Sequence, residues 1–197
     1  MSSSVEVRRL TTPQELFEAA AEEVVQNAKQ SVEERGRFTL ALSGGSTPRS
    51  LYALLANNAR SSLPWDRTFF FWSDERHVPP TDPDSNSRMA QESMLSKASV
   101  PTGNILRVPA EMEDAAAVAT SYEQTIRKFF AVEAGQFPRF DMILLGMGPD
   151  GHTAWPGPRR RRLFRHAAAP RFLAAGHRAD GPCSADLRRR GPRRRRH

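Results

Sequence analysis

Short apolar runs that alternate with helical stretches constrain the fold of this chain most strongly. Three such runs have the length and composition of buried strands: residues 38–42, 68–72 and 142–145. An apolar helical face follows Thr12, where a threonine, a proline and a glutamate form a capping box. Strands that alternate with helices predict crossover connections and a mainly parallel sheet.

Further elements are expected between and after these runs. A second helix is predicted to begin at Pro48, with Thr47 as its N-terminal cap, and a third near Ser87. A longer helix is predicted over residues 114–130, and residues 105–108 resemble a short strand.

Charge divides the chain into two unlike parts. Residues 1–157 carry 15 Lys+Arg and 20 Asp+Glu, a net charge of −5, as in an ordinary mildly acidic domain. Residues 158–197 carry 14 Arg and two acids, a net charge of +12. We therefore expect one α/β domain over 1–157 and an Arg-rich tail over 158–197 that has no apolar periodicity and does not pack.

The remaining composition predicts a cytoplasmic protein. The N-terminus has no apolar core, so no secretory signal is expected, and no run approaches the roughly 18 apolar residues of a membrane span. The single Cys183 excludes an internal disulfide, which fits a reducing compartment.

A glycine-rich turn follows the first strand and opens a helix. It consists of Ser43, Gly44, Gly45, Ser46 and Thr47. Adjacent glycines let the backbone approach a ligand, and the helix N-terminus favours an anion. The turn therefore suits a phosphomonoester, although it is neither a Walker loop nor a dinucleotide fingerprint. A tight, well-capped strand-to-helix turn explains the same residues, so both interpretations stay open.

Charged residues follow the second strand. Asp74, Glu75 and Arg76 are placed at the same edge of the predicted sheet as the glycine-rich turn. Arg76 can bind phosphate or carboxylate through two parallel hydrogen bonds. A solvated charge cluster is the alternative interpretation.

The third apolar run leads into a loop with three glycines that ends on Asp150 and His152. A histidine beyond a strand end can act as a general base near neutral pH, and Asp150 is placed to orient its ring. The alternative is a structural histidine; His77 has weaker support for a catalytic role. No His, Cys or carboxylate set has metal-ligand spacing, so no metal is expected.

Together, three segments resemble the 6-phosphogluconolactonase family, within the superfamily of glucosamine-6-phosphate isomerases and deaminases. The matching segments are Leu42-Ser43-Gly44-Gly45-Ser46-Thr47-Pro48, then Ser73-Asp74-Glu75-Arg76-His77-Val78-Pro79 with Asp84-Ser85-Asn86, and then Leu145-Gly146-Met147-Gly148-Pro149-Asp150-Gly151-His152-Thr153-Ala154. The deaminase branch tends to carry Asp-Gly-His-Ile-Ala-Phe-Asn-Glu at the third segment. Here Thr153 follows His152, which favours the lactonase branch.

The resemblance implies a Rossmann-like α/β fold with helices on both faces of the sheet. It also implies a carboxylic ester hydrolase that converts 6-phospho-D-glucono-1,5-lactone to 6-phospho-D-gluconate, in the oxidative pentose phosphate pathway and without a cofactor. The turn at 43–47 would hold the sugar phosphate, Arg76 would contact substrate, and His152 would activate water, with Asp150 and Asp74 as its neighbours in the catalytic site.

The sequence departs from the family after Ala154, where an Arg/Ala/Pro/Gly tract replaces the expected Ser-Leu-Phe-Pro-Gly-like continuation. Because GC-rich DNA encodes these residues in any frame, we expect that the tail results from a frameshift. The C-terminal part of the family's domain would then be missing, and we expect reduced activity. An evolved basic arm is the alternative; clustered arginines bind nucleic acid non-specifically whatever their origin, and specific binding is not expected. The competing functions are a catalytically inactive sugar-phosphate-binding or nucleic-acid-associated protein and an amino-sugar-phosphate isomerase/deaminase.

Overall fold

The structure is a computed structural model. It describes residues 7–57, 63–133, 135–147 and 171–176, with only the backbone for 147 and 171–176. The helices are α1 (Pro13–Arg35), α2 (Ser46–Asn57), α3 (Asn86–Ser93) and α4 (Ala115–Phe130), and short 3-10 turns span Trp65–Arg67, Leu95–Lys97 and Thr102–Asn104. The strands are β1 (Phe38–Leu42), β2 (Thr68–Trp72), β3 (Met142–Met147) and β4 (Arg171–Gly176).

The strands form one parallel sheet in the order β2-β1-β3-β4. β1 pairs with β2 along its whole length, from Phe38 opposite Thr68 to Leu42 opposite Trp72. The pairing of β1 with β3 places Leu40 opposite Met142. Parallel strands with helical crossovers confirm the predicted α/β class.

Helix α1 begins and ends as its sequence predicts. The Thr12 hydroxyl accepts from the backbone N–H of Glu15, and the Glu15 carboxylate accepts from that of Thr12, which closes the capping box. Gly36 ends the helix in the left-handed conformation, with φ of 72°. Glycine adopts this conformation without the Cβ penalty that other residues meet.

Aromatic side chains pack around strand β2. Phe129 of α4 lies 4.9 Å from Phe69 and 5.1 Å from Phe71, measured between ring centroids. Phe70, which alternates to the other face of the sheet, stacks on Trp65 at 6.2 Å. Aromatic residues therefore cover the sheet on both sides of β2.

A carboxylate joins three elements at the amino ends of the strands. Asp141, just before β3, accepts from both the backbone N–H and the hydroxyl of Thr39 in β1, each at 2.7 Å. Its other oxygen accepts from Arg35, at the end of α1, at 2.7 Å. Asp141 thus fixes β3 beside β1 at the edge opposite the predicted site.

Some predicted boundaries are wrong by one or two residues. Helix α2 begins at Ser46 rather than Pro48, so Thr47 lies in its first turn and is not its cap. Pro48 fits there because a first-turn N–H has no acceptor within the helix, so its absence costs little. Helix α3 begins at Asn86 with Ser85 as its cap, and the strand predicted at 105–108 is a single bridge between Ile105 and Phe70.

The expectation that no part of 158–197 packs is wrong for six residues. Strand β4, Arg171–Gly176, pairs in parallel with β3 along all six positions, from Met142 opposite Arg171 to Met147 opposite Gly176. Such pairing uses backbone groups, which overall composition does not describe, and the stretch contains the apolar run Phe172–Ala175. The other residues of this tract lie outside the described part of the chain, and a domain boundary at 157 stays a prediction.

Candidate active site

The carboxyl ends of β1, β2 and β3 lie at one edge of the sheet because the strands are parallel. The loops that begin at Ser43 and Ser73 both leave from this edge, so the turn at 43–47 and the loop that carries Asp74 and Arg76 lie at the same end of the sheet. Asp150 and His152, predicted to follow β3, lie outside the described residues.

Ser43 is held by a buried tyrosine. The Tyr52 hydroxyl accepts from the backbone N–H of Ser43 at 3.0 Å and donates to its carbonyl at 2.9 Å. Burial raises the pKa of this hydroxyl, and the negative charge of Asp74 acts in the same direction. Both backbone groups of a residue that leaves the sheet are thereby satisfied, which fixes the start of the turn. The buried Ser43 hydroxyl has no partner among the described residues.

The two glycines of the turn are required for different reasons. Gly45 has φ of 110°, a conformation that L side chains rarely adopt. Apart from its chain neighbours, the only atom of the described residues within 4 Å of its Cβ position is Pro48 Cδ, at 3.8 Å. At Gly44 a Cβ would lie 2.0 Å from Oδ1 of Asn86. At Gly44 the absence of a side chain therefore makes room for Asn86. Contact between the Gly44 backbone and a ligand stays a prediction.

The N-terminus of α2 is suited to bind an anion. Gly45 and Ser46 are exposed, and the Arg49 N–H is the first to bond back, to the Gly45 carbonyl at 3.1 Å. The first turn contains no acidic residue, so the partial positive charge of the helix end is not offset within α2 itself. Free N–H groups and serine and threonine hydroxyls converge at this point.

Glu75 has a structural role that the sequence did not reveal. Its carboxylate accepts from the backbone N–H groups of Asn86 at 2.7 Å and Ser87 at 2.8 Å. A negative charge at a helix N-terminus satisfies free donors and complements the helix dipole. Glu75 therefore supplements the Ser85 cap and fixes the β2 loop on α3, so it is not a freely solvated charge.

Asp74 is half-buried and turns toward the same helix. Its carboxylate accepts from the Ser73 hydroxyl at 3.3 Å and from Nδ2 of Asn86 at 3.4 Å. Asn86 also donates to the Asp74 carbonyl at 3.1 Å. Asp74 thus lies close to the glycine-rich turn, as expected for a residue that lines the site.

Arg76 is an exposed cation in the loop after β2. In the described ranges no carboxylate lies within ion-pair distance of its guanidinium, whereas Arg88, for example, pairs with Glu92 at 2.6 Å. Its five N–H donors are therefore available to an anionic ligand. His77 is occupied instead, since its Nε2 lies 2.7 Å from the Met112 carbonyl.

The underside of the turn at 43–47 rests on apolar residues. A cavity of about 40 Å³ lies between α1, α2 and the end of β3, lined mainly by Phe17, Leu51 and Leu144. Among the described residues, no three His, Cys, Asp or Glu side chains are grouped where they could hold a metal, and no helix is long and apolar enough to cross a membrane.

Known proteins are similar to this chain as a whole. The sequence profile of the family described as glucosamine-6-phosphate isomerases/6-phosphogluconolactonase matches residues 11–177. The chain belongs to this family. The 6-phosphogluconolactonase of Synechocystis sp. is 41% identical over 186 residues, which cover 92% of this chain and 72% of the relative. That of Nostoc sp. is 42% identical over 156 residues, covering 77% and 61%.

Solved structures of the glucosamine-6-phosphate isomerase/6-phosphogluconolactonase family have the same fold. The crystal structure of 6-phosphogluconolactonase from Thermotoga maritima superposes with a TM-score of 0.61 at 34% identity, over 70% of this chain and 58% of that one. The chain therefore spans between about three fifths and three quarters of the length of these relatives. The family match ends at residue 177, so it includes β4.

Sequence reasoning missed three residues that build the site: Tyr52, Glu75 and Asn86. Asn86 was part of the Asp84-Ser85-Asn86 segment that carries the resemblance, but no role followed from it. Ser85 could have given a signal for Glu75, because a serine that caps a helix marks a start where free N–H groups can also bind a carboxylate from another segment. Tyr52 resembled an ordinary member of an apolar helix face.

Proposed function

We propose that this chain hydrolyses 6-phospho-D-glucono-1,5-lactone to 6-phospho-D-gluconate, in the oxidative pentose phosphate pathway. The turn at 43–47 and Arg76 bind the phosphorylated substrate, and Asp74 lines the pocket beside them. His152 activates the attacking water and Asp150 orients its ring. The relatives named 6-phosphogluconolactonase and the shared motifs support this assignment.

The observation that supports it most directly is the unpaired positive charge at one edge of the sheet. The N-terminus of α2 has no acid in its first turn, and Arg76 has no carboxylate partner within the described residues. Both lie at the edge from which β3 leads toward His152. A phosphate held there would place the rest of a sugar lactone within reach of a base on the β3 loop.

The chemistry requires one base and one water. His152 takes a proton from water as its oxygen adds to the lactone carbonyl carbon. The tetrahedral intermediate then collapses, the bond from that carbon to the ring oxygen breaks, and the ring oxygen receives the proton as a hydroxyl. Lactone and water alone account for the products, so the reaction consumes no co-substrate.

The assay follows conversion of freshly prepared lactone by the purified 197-residue chain, with buffer alone as the control because the lactone also opens spontaneously. His152→Gln should lower turnover by about 10²–10⁴, the usual contribution of a general base. Arg67→Ala, at the opposite edge of the sheet, is the matched surface control. A parent rate equal to buffer, or ammonia release from glucosamine-6-phosphate instead, would reject the lactonase assignment.

We further propose that the enzyme works in the cytoplasm, since its lone Cys183 suits a reducing compartment. Its partner is the phosphorylated lactone. Non-specific binding of nucleic acid through the Arg-rich tract stays a prediction, tested by salt-dependent retention on heparin compared with a chain that ends at residue 177.

A further inference from the structure

Asn86 contacts both described loops of the site. Its Nδ2 donates to the Asp74 carbonyl at 3.1 Å and to the Asp74 carboxylate at 3.4 Å. On its other side, the amide fills the space beside Gly44, where a Cβ would lie 2.0 Å from Oδ1 and 2.4 Å from Cγ. One side chain therefore lies between the turn after β1 and the loop after β2.

The Asn86 side chain has little freedom to move from this place. The residue is only 5% exposed, and its backbone N–H donates to Glu75 at 2.7 Å. Rotation of the amide away from Gly44 would break its bonds to Asp74 and leave a buried amide unsatisfied. The contact at Gly44 is therefore set by α3, and Glu75 in turn fixes α3 to the β2 loop.

We propose that Asn86 is a positioning residue, which docks the glycine-rich turn onto the Asp74 loop. It thereby sets the distance between the phosphate-binding end of α2 and the side chains of Asp74 and Arg76. This inference rests on the proposed lactonase function for its catalytic consequence, but the docking itself does not. Small displacements of binding groups are costly in catalysis, since productive geometry depends on a near-attack arrangement.

A double-mutant cycle on the full chain tests the docking. Gly44 is not among the glycines with positive φ, so the φ of its backbone suits alanine, and the three atoms nearest to its Cβ position all belong to Asn86. Gly44→Ala should lower Tm by several degrees, roughly the effect of a contact worth one to two kcal/mol. Once Asn86→Ala has removed the amide, adding Gly44→Ala should cost little further. Strictly additive shifts in Tm would overturn the proposal.

Kinetics separate positioning from mere packing. Asn86→Ala should lower kcat/KM about 10- to 100-fold in the folded protein, with contributions from both KM and kcat. Asn86→Asp keeps an oxygen beside Gly44 but replaces the donor to Asp74 with a negative charge, and should lower kcat/KM as well. An unchanged kcat/KM in Asn86→Ala, with only a lower Tm, would show a structural role alone and overturn the proposal.

Ser93→Ala is the matched control on the same helix. Ser93 is buried like Asn86, but its hydroxyl donates to the Met89 carbonyl at 2.6 Å, within α3, and touches neither loop. Its kcat/KM should equal that of the parent. If the parent itself does not hydrolyse lactone, the proposed function fails, and the unfolding cycle alone decides the docking: coupling supports it and additivity rejects it.

Discussion

Arg76 differs from Asp74 and Glu75, the other charged residues of its loop, because its charged group has no partner among the described residues. Glu75 is used as a helix cap and Asp74 accepts two hydrogen bonds, while the exposed guanidinium of Arg76 has no partner in the part of the chain that the structure describes. An arginine that has no carboxylate partner is suited to bind a doubly charged phosphate.

Replacement of Arg76 should therefore affect binding more than folding. Arg76→Ala is expected to raise KM for the lactone about 10- to 100-fold, the range for loss of a charge-assisted hydrogen bond, with little change in Tm. The KM of Arg76→Lys should lie between those of the parent and Arg76→Ala, because lysine keeps the charge but lacks the planar guanidinium. Arg67→Ala, whose guanidinium lies 3.4 Å from Asp66, is the control. A KM for Arg76→Ala equal to that of the control would remove Arg76 from the site.

Helices α2 and α4 each hold the end of a strand through a buried tyrosine hydroxyl. Tyr52 of α2 satisfies the N–H and carbonyl of Ser43, and Tyr122 of α4 does so for Trp72, at 2.8 and 3.3 Å. Both side chains are fully buried and lie opposite backbone groups at the point where the chain leaves the sheet. Each hydroxyl replaces the strand partner that ends there.

The matched pair Tyr52→Phe and Tyr122→Phe separates stability from function. Each change leaves buried backbone groups unsatisfied and should cost about 1–3 kcal/mol in free energy of unfolding, measured by denaturant titration. Only Tyr52→Phe should also raise KM, because only Tyr52 holds the start of the phosphate-binding turn. Equal kinetic losses in both variants would argue that the turn is not positioned by Tyr52.

These two residues, the only tyrosines of the chain, also predict alkaline behaviour. Burial raises the pKa of both hydroxyls, so in the folded protein they stay protonated where the unfolded chain ionises, near pH 10. Above about pH 10 the unfolded state then binds fewer protons, and the free energy of unfolding falls as pH rises. Each Tyr→Phe variant should show a shallower fall than the parent. If the free energy of unfolding fell equally steeply with pH in parent and variants, the raised pKa of the tyrosines would be contradicted.

The two ends of the strands have different roles in the molecule, one structural and one in the candidate site. At the amino edge Asp141 ties α1, β1 and β3 together, over sequence separations of 102 and 106 residues. At the carboxyl edge the loops after β1 and β2 carry the candidate site. The sheet continues past β3 into β4, so backbone pairing of β3 depends on residues from the Arg-rich tract.

Two shortened chains test where the domain ends. A chain of residues 1–157 lacks β4 and leaves one edge of β3 unpaired, whereas a chain of 1–177 keeps β4 and all residues of the family match. The shorter chain should melt at lower temperature and aggregate more readily, because an exposed apolar strand edge pairs with other chains. Measurement is by thermal unfolding and light scattering. Equal stability of the two would support a domain that ends at 157.

The sequence by itself determined the elements and the edge at which chemistry is expected. Apolar runs of strand length and the capping box at Thr12 depend on near neighbours in the chain, so local reasoning reaches them. Parallel strands then place the turn at 43–47 and the loop of Asp74 and Arg76 at the same end of the sheet. The family followed from the order and spacing of motifs.

Only the tertiary structure decided which residues hold that edge together. Glu75 caps a helix that begins eleven residues later, Asn86 fills the space beside Gly44, and Tyr52 bonds Ser43 across a turn. The position of β4 likewise depends on its backbone pairing with β3, which the composition of the surrounding tract does not predict. Such contacts join residues through space, and a buried polar group finds its partner only when the chain has folded, which is why no local pattern announces them.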